Sequence, residues 1–435
     1  MTKQKIRKLS GTLRIIGDKS ISHRALILSS ICIGRSEIAN LLESEDVIST
    51  VNILKDLGIQ IKKKNNKWIV YGNGTNSFIQ PKKALDCGNS GTTARLMLGA
   101  VSTNPIYCTF VGDKSLSKRP MSRVTDHLEK IGCKVSLTNN WHLPLTIKGS
   151  EINLPLVHRI SKPSAQIKSA IILAALNTYG ETTIIEPKKT RDHTELLLEY
   201  LNVKYKKQKI ALVGSKLVFN GPYEIKSKNI YVSGDPSSAA FLVVGALITP
   251  NSKIKLVDVL LNETRIAYLS ILKKMGGKIK IKKTNTRSGE QLGTITVSTS
   301  SLKGITIPAK LSPYLIDEYP ILSIAASQAK GITYMKGLDE LRHKESDRIK
   351  SIVGMLKSFK IKTEIKKNDI KIYGSPSKEV TCYKTVKVYS DHRIALSASI
   401  LGIISNNQIK LDDKGKSMAT SYPNFNSDIN KLITN

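Results

Sequence analysis

A segment of eight residues occurs twice in this chain, and a shorter form of it occurs a third time. Residues 17–24 read Gly-Asp-Lys-Ser-Ile-Ser-His-Arg and residues 112–119 read Gly-Asp-Lys-Ser-Leu-Ser-Lys-Arg, so six of the eight positions are identical. Residues 234–239, Gly-Asp-Pro-Ser-Ser-Ala, are a fainter third copy. Such recurrence predicts one supersecondary unit that is used several times. For the third copy, a common turn followed by a helix cap explains the pattern equally well.

The rest of the chain alternates short β-branched runs with amphipathic segments of helical length, which predicts an α/β or α+β architecture. Its 435 residues, 40% of them hydrophobic, are enough for two or more domains. Predicted strands are 67–71, 107–111, 182–185, 254–257, 294–297 and 369–373, and predicted helices are 21–32, 124–131, 195–201 and 349–359.

The charge balance indicates an anionic partner. The chain has 68 Lys and Arg residues against 34 Asp and Glu residues, a formal net charge of +34. Nucleic acid, an acidic membrane face and acidic small molecules all fit that charge. The lysines are spread along the whole length, so the charge alone does not choose among these classes. Aromatic residues are only 5% of the chain, which gives few platforms for stacking bases and disfavours a nucleic-acid-binding protein.

Several classes of site have no sequence signal. The five cysteines form no CxxC pair and the seven histidines form no HxxxH or HExxH pair, so neither a zinc site nor a disulfide framework is predicted. No Walker A pattern occurs, and Gly72-Asn73-Gly74 lacks the third glycine of a dinucleotide-binding turn. The longest apolar stretches, such as 239–248, are far shorter than the roughly 18 residues that span a bilayer. These absences predict a soluble, cytoplasmic protein with reduced thiols.

The repeated segment has the residues of an anion-binding turn. Gly17 permits a tight turn, Ser20 offers an oxygen to cap the following helix, and the free N–H groups of the first helical turn attract negative charge. Ser20 and Arg24 are four residues apart and share a helical face, with Lys19 beside them. A hydroxyl and a guanidinium so placed can hold one phosphate or carboxylate. The alternative is a capped surface helix with solvated charges.

Further helix starts combine small or hydroxyl residues with a basic side chain. They are residues 89–95 (Asn-Ser-Gly-Thr-Thr-Ala-Arg), residues 162–169 (Lys-Pro-Ser-Ala-Gln-Ile-Lys-Ser, whose proline suits a first helical turn) and residues 391–393 (Asp-His-Arg). Each alone is compatible with a plain helix cap. Together they predict converging helix N-termini suited to a highly anionic set of ligands.

Two acidic positions are candidates for proton transfer. On a helix, Arg342, Glu345 and Arg348 would lie on one side, and Glu345 would either position a neighbour or carry a proton. A salt-bridged surface helix is the alternative. Asp317 precedes the apolar run 321–326 and is either a catalytic base or, more simply, a helix cap.

These motifs, in this order, resemble the 5-enolpyruvylshikimate-3-phosphate synthase (3-phosphoshikimate 1-carboxyvinyltransferase) family nearly end to end. The matching segments are 17–20 with Arg24, 89–92, 119–120, 164–166, 317–320, 344–348 and 391–393. The family's second class is indicated by 191–195 (Arg-Asp-His-Thr-Glu), 164–168 (Ser-Ala-Gln-Ile-Lys) and 262–265 (Asn-Glu-Thr-Arg).

The resemblance implies a reaction without cofactor or metal, in which the 5-hydroxyl of shikimate 3-phosphate attacks C2 of phosphoenolpyruvate and phosphate leaves from a tetrahedral intermediate. Carried over by motif, the residues for shikimate 3-phosphate are Lys19, Ser20, Arg24, Ser164, Ala165 (through its backbone), Gln166 and Lys344. Those for phosphoenolpyruvate are Lys19, Gly91, Arg119, Arg348 and Arg393. Asp317 would be the general base on the 5-hydroxyl, and Glu345 or Lys19 would handle the proton at the methylene carbon.

The resemblance also implies the two-domain enolpyruvyl transferase fold, an inverse α/β barrel in which each domain has three βαβαββ units. Residues 1–16 and 231–435 would form one domain and 17–230 the other, with the active site in the cleft between them and a monomeric protein. Two departures limit the transfer. Ala165 replaces a serine found in many relatives, and Thr420 stands where some relatives place a phosphoenolpyruvate-binding lysine, with Lys416 nearby but not aligned.

The nearest rival is the related enolpyruvyl transferase that acts on UDP-N-acetylglucosamine. It uses a loop cysteine five residues before its Arg-Pro pair, a position that Lys114 occupies here. Cys108, the nearest thiol, is better explained as a buried residue of the predicted strand 107–111.

Overall fold

The computed structural model describes residues 8–137, 141–210, 214–376 and 380–434. Within these ranges the chain forms two compact units. The N-unit comprises Gly17–Val232 and Arg287–Glu290. The C-unit comprises the described residues up to Ile16, Ser233–Thr286 and the described residues from Gln291 onward. Residues 1–7 of the first segment predicted for the C-terminal domain lie outside the described residues.

The first strand, β1 (Lys8–Arg14), belongs to the C-unit. The chain then builds the N-unit from the following elements: α1 (Lys19–Ile31), β2 (Ile33–Ala39), α2 (Glu45–Asp56), β3 (Gln60–Lys64), β4 (Lys67–Asn73), β5 (Leu85–Asp86), α3 (Gly91–Val101), β6 (Tyr107–Val111), a 3₁₀ turn (Leu116–Lys118), α4 (Ser122–Ile131), β7 (Lys134–Leu137), β8 (Leu145–Lys148), β9 (Val157–Arg159), α5 (Ala165–Ala175), β10 (Gly180–Glu186), α6 (His193–Tyr200), β11 (Lys206–Ile210), β12 (Gly214–Gly221) and β13 (Ile230–Tyr231).

The N-unit contains the same βαβαββ arrangement three times. Its three sheets have the strand orders β13-β2-β4-β3, β5-β6-β8-β7 and β9-β10-β12-β11. In each, the first two strands are parallel and the rest add as antiparallel hairpins. The first copy borrows β13 from the end of the unit as its opening strand, which closes the repeat. This confirms the α/β class that the alternation of strands and helices predicts, and the repeated βαβαββ unit that the resemblance implies.

The helices differ in burial according to their place in the repeat. Helices α1, α3 and α5, which join the parallel strands, have nearly all their side chains buried. Helix α4 buries only Val124, Thr125, Leu128 and Ile131, which form one stripe at helical spacing. A helix that is apolar on all sides must lie inside its domain. The sheets therefore surround α1, α3 and α5 within this unit.

The C-unit continues with the following elements: α7 (Pro236–Ile248), β14 (Lys253–Leu260), α8 (Ala267–Lys274), β15 (Lys278–Arg287), β16 (Glu290–Ser298), β17 (Leu302–Lys303), β18 (Thr306–Ile307), a 3₁₀ turn (Ala309–Leu311), α9 (Ser312–Leu315), α10 (Tyr319–Ser327), β19 (Ala329–Met335), a 3₁₀ turn (Asp339–His343), α11 (Arg348–Ser358), β20 (Thr363–Lys366), β21 (Asp369–Gly374), α12 (His392–Gly402), a 3₁₀ turn (Lys416–Thr420), α13 (Phe425–Leu432) and β22 (Ile433–Thr434).

The C-unit follows the same plan. Strand β1 pairs in parallel with β14, in a sheet of order β15-β16-β14-β1-β22, and so serves as the opening strand for α7. A second sheet has the order β17-β19-β21-β20 around α10. The third copy is reduced: α12 lies between two segments joined by a parallel bridge from Val386 to Leu411. Helices α7, α10 and α12 are almost entirely buried and contribute to one apolar core.

The three Gly-Asp copies share a local structure that depends on the aspartate. Asp18 Oδ1 accepts from Ile21 N at 2.8 Å, Asp113 Oδ1 accepts from Leu116 N at 2.7 Å, and Asp235 Oδ1 accepts from Ser237 N at 2.7 Å. The prediction that Ser20 caps the first helix is wrong, because α1 already begins at Lys19 and Asp18 is its cap. In the first and third copies the aspartate caps a helix, α1 or α7, whereas in the second copy it precedes a three-residue 3₁₀ turn; the third copy is thus a turn followed by a helix cap.

All ten predicted elements exist, displaced by at most a few residues at their ends. Pro163 lies before the cap Ser164 and not within the first turn of α5. All five cysteines are free and buried. None of the helices in the described ranges is long and apolar enough to span a bilayer.

The crossing of α3 and α5 depends on Gly99. A Cβ atom at this position would lie 2.3 Å from the carbonyl oxygen of Ala170 and 2.6 Å from its Cα. We expect Gly99→Ala to lower the free energy of unfolding by about 1–3 kcal/mol because backbone must move. Gly354→Ala is the control, since α11 is exposed there and nothing lies within 4 Å of the new atom; it should stabilise by about 1 kcal/mol. Urea unfolding measures both, and equal stabilities would contradict the close approach.

Candidate active site

The N-termini of α1, α3 and α5 converge within the N-unit, and each has a side-chain cap. Asp18 caps α1, Ser90 Oγ accepts from Thr93 N at 3.1 Å, and Ser164 Oγ accepts from Ile167 N at 3.4 Å. The caps fix where each helix starts, so the remaining N–H groups of the first turns present positive partial charge.

Asp46 on α2 connects the starts of α1 and α3. The Lys19 ammonium pairs with Asp46 Oδ2 at 2.8 Å, and Thr93 donates its hydroxyl hydrogen to the Asp46 carbonyl oxygen at 3.3 Å. Behind them, His23 Nδ1 lies 2.7 Å from Thr50 Oγ1, which lies 2.8 Å from Thr93 Oγ1. Lys19 is therefore held at one place by a charged partner on a neighbouring helix.

Gln166 connects α3 with α5. Its amide nitrogen donates to Thr92 Oγ1 at 2.9 Å, and its amide oxygen accepts from Arg95 Nη1 at 2.8 Å. The start of α5 is thus tied to the first turn of α3 by two hydrogen bonds.

Arg24 connects α1 with α5 and α6. Its Nη2 donates to Ser169 Oγ at 2.7 Å, its Nε donates to Thr194 Oγ1 at 2.7 Å, and its Nη1 donates to the Ser20 carbonyl at 2.9 Å. The two hydroxyl oxygens are themselves 2.7 Å apart. These three acceptors are all neutral oxygens.

Arg119 lies over the start of α3. Its Nη2 donates to Asn89 Oδ1 at 2.8 Å and to Ser115 Oγ at 3.1 Å. A Cβ atom at Gly91 would lie 3.3 Å from Arg119 Nη1 and 2.9 Å from Arg95 Nη1. Glycine at this position therefore leaves space directly beside two guanidinium groups.

The arrangement in the N-unit suits a polyanion. Lys19, Arg24, Arg95 and Arg119 surround three helix N-termini, where Asp18 caps α1 and Asp46 pairs with Lys19. Charged donors and N–H groups held in place before a ligand arrives need no reorganisation to bind it. The predicted ligands Ser20, Gly91, Ser164, Ala165 and Gln166 all belong to these three helix starts.

A second cluster lies in the C-unit and is centred on Arg348, the first residue of α11, whose side chain is fully buried. Its Nε donates to Asp391 Oδ2 at 2.8 Å, its Nη1 donates to Asp317 Oδ1 at 3.2 Å, and its Nη2 donates to Glu345 Oε2. Burial alone would lower the pKa of Arg348, but the charges of Asp391, Glu345 and Asp317 outweigh burial and raise it. The guanidinium therefore stays charged.

Asp317 is held by further cations in the same cluster. Lys344 Nζ and Arg393 Nε each lie 3.8 Å from its Oδ1, and Arg393 Nη1 donates to the Asp317 carbonyl at 2.9 Å. Asp317 is partly accessible, as are Glu345 and Lys344. A carboxylate so held has a fixed position and an open face, two of the features that a general base needs.

Two interpretations of this region are wrong. Residues 342–348 are not one helix, because a 3₁₀ turn ends at His343, a bend follows, and Asp347 caps the new helix at Arg348. Glu345 and Arg348 meet nevertheless, since the bend brings them together. Asp317 does not act as the cap of α10, because its Oδ1 faces the cations and the residue before that helix is Glu318.

Sequence reasoning missed several residues that hold the site. Asp46 carries no motif, so no signal could have identified it as the partner of Lys19. Asn89 was not predicted as the acceptor for Arg119, although it begins the segment 89–95 whose Arg95 marks a basic helix start. Thr420 Oγ1 lies 3.3 Å from His392 Nδ1, next to Arg393 in the chain. Lys416 is exposed at the start of the same 3₁₀ turn.

The predicted residues therefore form two groups, one within each unit. The N-unit holds Lys19, Ser20, Arg24, Gly91, Arg119, Ser164, Ala165 and Gln166, and the C-unit holds Asp317, Lys344, Glu345, Arg348 and Arg393. Among the described residues, no group of three or more His, Cys, Asp or Glu side chains is placed to hold a metal ion.

Known structures place this fold among the enolpyruvyl transferases. EPSP synthase from Acinetobacter baumannii superposes with a TM-score of 0.85 at 34% identity, over 99% of this chain and 97% of that one. The enolpyruvyl transferase NikO from Streptomyces tendae has a TM-score of 0.77 at 14% identity, over 100% and 97% of the two chains, a likeness of fold alone. The chain is thus a two-unit protein of the enolpyruvyl transferase class.

The sequence comparisons identify the family. The profile of EPSP synthase (3-phosphoshikimate 1-carboxyvinyltransferase) matches residues 3–429. The 3-phosphoshikimate 1-carboxyvinyltransferase of Bartonella henselae is 42% identical over 425 residues, 98% of this chain and 96% of that protein. The protein of that name from Rhodopseudomonas palustris strain BisB5 is 42% identical over 424 residues, 97% and 95% of the two chains. The chain belongs to the EPSP synthase family and is an enzyme.

The buried His23 makes stability depend on pH. Burial, with the charges of Lys19 and Arg24, lowers its pKa well below the ordinary value of 6.5. Below about pH 6.5 the unfolded chain binds a proton that the folded chain excludes, so stability is complete above that pH and falls as pH is lowered.

We expect His23→Asn to weaken this dependence by up to about 1.4 kcal/mol per pH unit, the limit for one proton. Urea unfolding from about pH 7.5 to about pH 5.5 measures the slope. The exposed His343 is the control position, as His343→Asn. A variant whose slope equals that of the wild type would show that His23 is protonated equally in both states.

Proposed function

We propose that the chain transfers the enolpyruvyl group of phosphoenolpyruvate to the 5-hydroxyl of shikimate 3-phosphate, releasing phosphate and forming 5-enolpyruvylshikimate 3-phosphate. This is the step of the shikimate pathway, and so of aromatic amino-acid biosynthesis, for which the family is named. The observation that most strongly supports this proposal is the near-complete family match, combined with clusters of cations in both units.

Shikimate 3-phosphate is assigned to the N-unit cluster and Lys344. Lys19, Ser20 and Arg24 supply two cations and a hydroxyl, and Ser164, Ala165 and Gln166 supply the start of α5. A phosphate needs several converging donors, and three helix N-termini with fixed cations provide them.

Phosphoenolpyruvate is assigned to cations from both units. Arg119 stands beside the space left by Gly91, Arg348 and Arg393 stand beside Asp317, and Lys19 reaches both ligands. Two like charges 5 Å apart repel by about 3 kcal/mol at an effective dielectric constant near 20. Two polyanions therefore need such a set of cations before they can approach each other.

The proton transfers fall to Asp317, Glu345 and Lys19. Asp317 accepts the proton of the 5-hydroxyl while the hydroxyl oxygen forms its bond to C2 of phosphoenolpyruvate. Glu345 or Lys19 delivers a proton to the methylene carbon. The tetrahedral intermediate then loses that methyl proton and expels phosphate, which restores the double bond. Fixed cations stabilise the charge of the intermediate.

The two units act together in this proposal, as domains that close around the substrates and exclude water. The chain works as a cytoplasmic monomer, and its partners are the two metabolites rather than nucleic acid or a membrane.

The reaction itself is tested by phosphate release. We expect release from phosphoenolpyruvate with shikimate 3-phosphate as acceptor and background release with UDP-N-acetylglucosamine. The rival acceptor is disfavoured because Lys114 is exposed where the loop cysteine would stand, and burial raises the pKa of Cys108 to about 12. Release with the sugar nucleotide alone would reverse the assignment.

The two halves of the site predict different kinetic defects. Asp317→Ala should keep both ligands bound but lose at least about 100-fold in kcat, because general base catalysis contributes at least that factor. Arg24→Ala should mainly weaken shikimate 3-phosphate binding, by roughly 10-fold or more, since a charged hydrogen bond is worth about 1.5–3 kcal/mol. Steady-state kinetics with calorimetric binding separates the two, and unchanged turnover in Asp317→Ala would remove it from the mechanism.

A further inference from the structure

Three charged side chains are buried together in the N-unit, outside the predicted ligand set. Lys168 Nζ on α5 lies 2.7 Å from Glu195 Oε1 on α6 and 3.0 Å from Glu186 Oε1 on β10. The side chain of Lys168 is 0% exposed, and those of Glu186 and Glu195 are each 2% exposed. We call these three residues the buried triad. It joins one helix of the central set, a neighbouring strand and an outer helix.

On the Glu186 side of the buried triad, both carboxylate oxygens accept hydrogen bonds. Glu186 also accepts hydrogen bonds from Ser215 Oγ and from Thr190 Oγ1, each at 2.8 Å. Burial alone would lower the pKa of Lys168, but the charges of Glu195 and Glu186 outweigh burial and raise it. The ammonium thus stays charged in an interior from which water is excluded.

Stability alone does not account for such a group. Removing three charges from water costs several kcal/mol per ion, and buried ion pairs are commonly no more stabilising than apolar residues of the same volume. Their advantage is directional, because an ion pair at 2.7 Å fixes the separation of the elements that carry it. A fixed separation between α5 and α6 would therefore serve another group that contacts both helices.

The residues next to Lys168 on α5 and next to Glu195 on α6 both contact Arg24. Ser169 follows Lys168 on α5, and Thr194 precedes Glu195 on α6. These are the two hydroxyl groups that accept from the Arg24 guanidinium, each at 2.7 Å, and that lie 2.7 Å from each other. The other acceptor of Arg24, the Ser20 carbonyl, is on its own helix α1 and so cannot fix the guanidinium relative to α5.

We propose that the buried triad is a positioning element for Arg24: by holding α5 to α6, it keeps the Ser169 and Thr194 hydroxyls at the separation that aims the guanidinium at an anionic group of shikimate 3-phosphate. This rests on the proposed function. Lys168, Glu186 and Glu195 do not touch substrate, and they act only through Ser169 and Thr194. Hydrogen bonds of a guanidinium weaken steeply with misalignment, so a small change in helix separation suffices to weaken binding.

The test uses Glu195→Gln, which keeps the volume of the side chain and removes its charge while Lys168 remains paired with Glu186. We expect the Kd and KM for shikimate 3-phosphate to rise about tenfold, which corresponds to about 1.4 kcal/mol. The KM for phosphoenolpyruvate should stay within about twofold of the wild-type value. A purely structural role would lower the active fraction and leave both KM values unchanged.

A double-mutant cycle makes the test specific. In the Arg24→Ala background, Glu195→Gln should cause no further loss of shikimate 3-phosphate affinity, because its effect passes through the missing guanidinium. Fully additive losses would overturn the proposal. Glu186→Gln is the second variant if Glu195→Gln does not fold, and it should show the same selective loss and the same lack of additivity.

Asp428→Asn is the matched control. Asp428 is a buried carboxylate of the C-unit that accepts from Tyr422 Oη at 3.0 Å and pairs with Lys431. The Asp428→Asn variant should have a lower Tm and unchanged KM values for both substrates.

The wild-type assay separates the two hypotheses. No wild-type turnover of shikimate 3-phosphate would defeat the proposed function. Normal wild-type turnover with unchanged affinity in Glu195→Gln would defeat only the positioning role.

Discussion

Cations that must gather around an anion repel one another before the anion arrives, and this constraint shapes both clusters. Each basic side chain is held by a specific acceptor: Lys19 by Asp46, Arg24 by two hydroxyl groups, Arg119 by Asn89 and Arg348 by Asp391. A held cation loses little conformational entropy when a ligand binds, whereas a free lysine or arginine would lose up to about 2 kcal/mol. The polar partners therefore matter as much to binding as the cations themselves.

The fold explains why these cations can meet at all. In each repeat a buried helix follows a short strand, so the starts of α1, α3 and α5 come to the same end of the N-unit. The aspartate or serine that ends the loop satisfies one N–H group, and the remaining N–H groups stay available to an anion. Residues that are more than 60 positions apart in the chain, such as Thr92 and Gln166, thus become hydrogen-bond partners.

Much of this could be predicted from the sequence, because repeats, periodicity and turn residues act locally. The recurring Gly-Asp segment predicted repeated units, and the ten predicted elements exist.

Local signals failed where two rules competed. Ser20 and Asp18 are both good caps, and the earlier residue caps α1. Residues 342–348 have helical spacing, but Asp347 starts a new helix inside that run. Partners from distant elements, such as Asp46 for Lys19, leave no local pattern and required the tertiary structure. The assignment of each ligand remains a prediction.

The two clusters differ in how their charge is balanced, and this difference bears on chemistry. In the N-unit, Arg24 and Arg119 donate to the neutral oxygens of Ser169, Thr194 and Asn89. In the C-unit, Arg348 already faces the carboxylates of Asp317, Glu345 and Asp391. An anion that binds beside Arg348 competes with these carboxylates and repels them, which raises their affinity for a proton. Asp391 is fully buried, whereas Asp317 and Glu345 are partly accessible. In the proposed reaction, an anion bound beside Arg348 would therefore favour a proton on one of these two accessible carboxylates, which is the direction that the proposed donor Glu345 requires and the opposite of what the proposed base Asp317 requires.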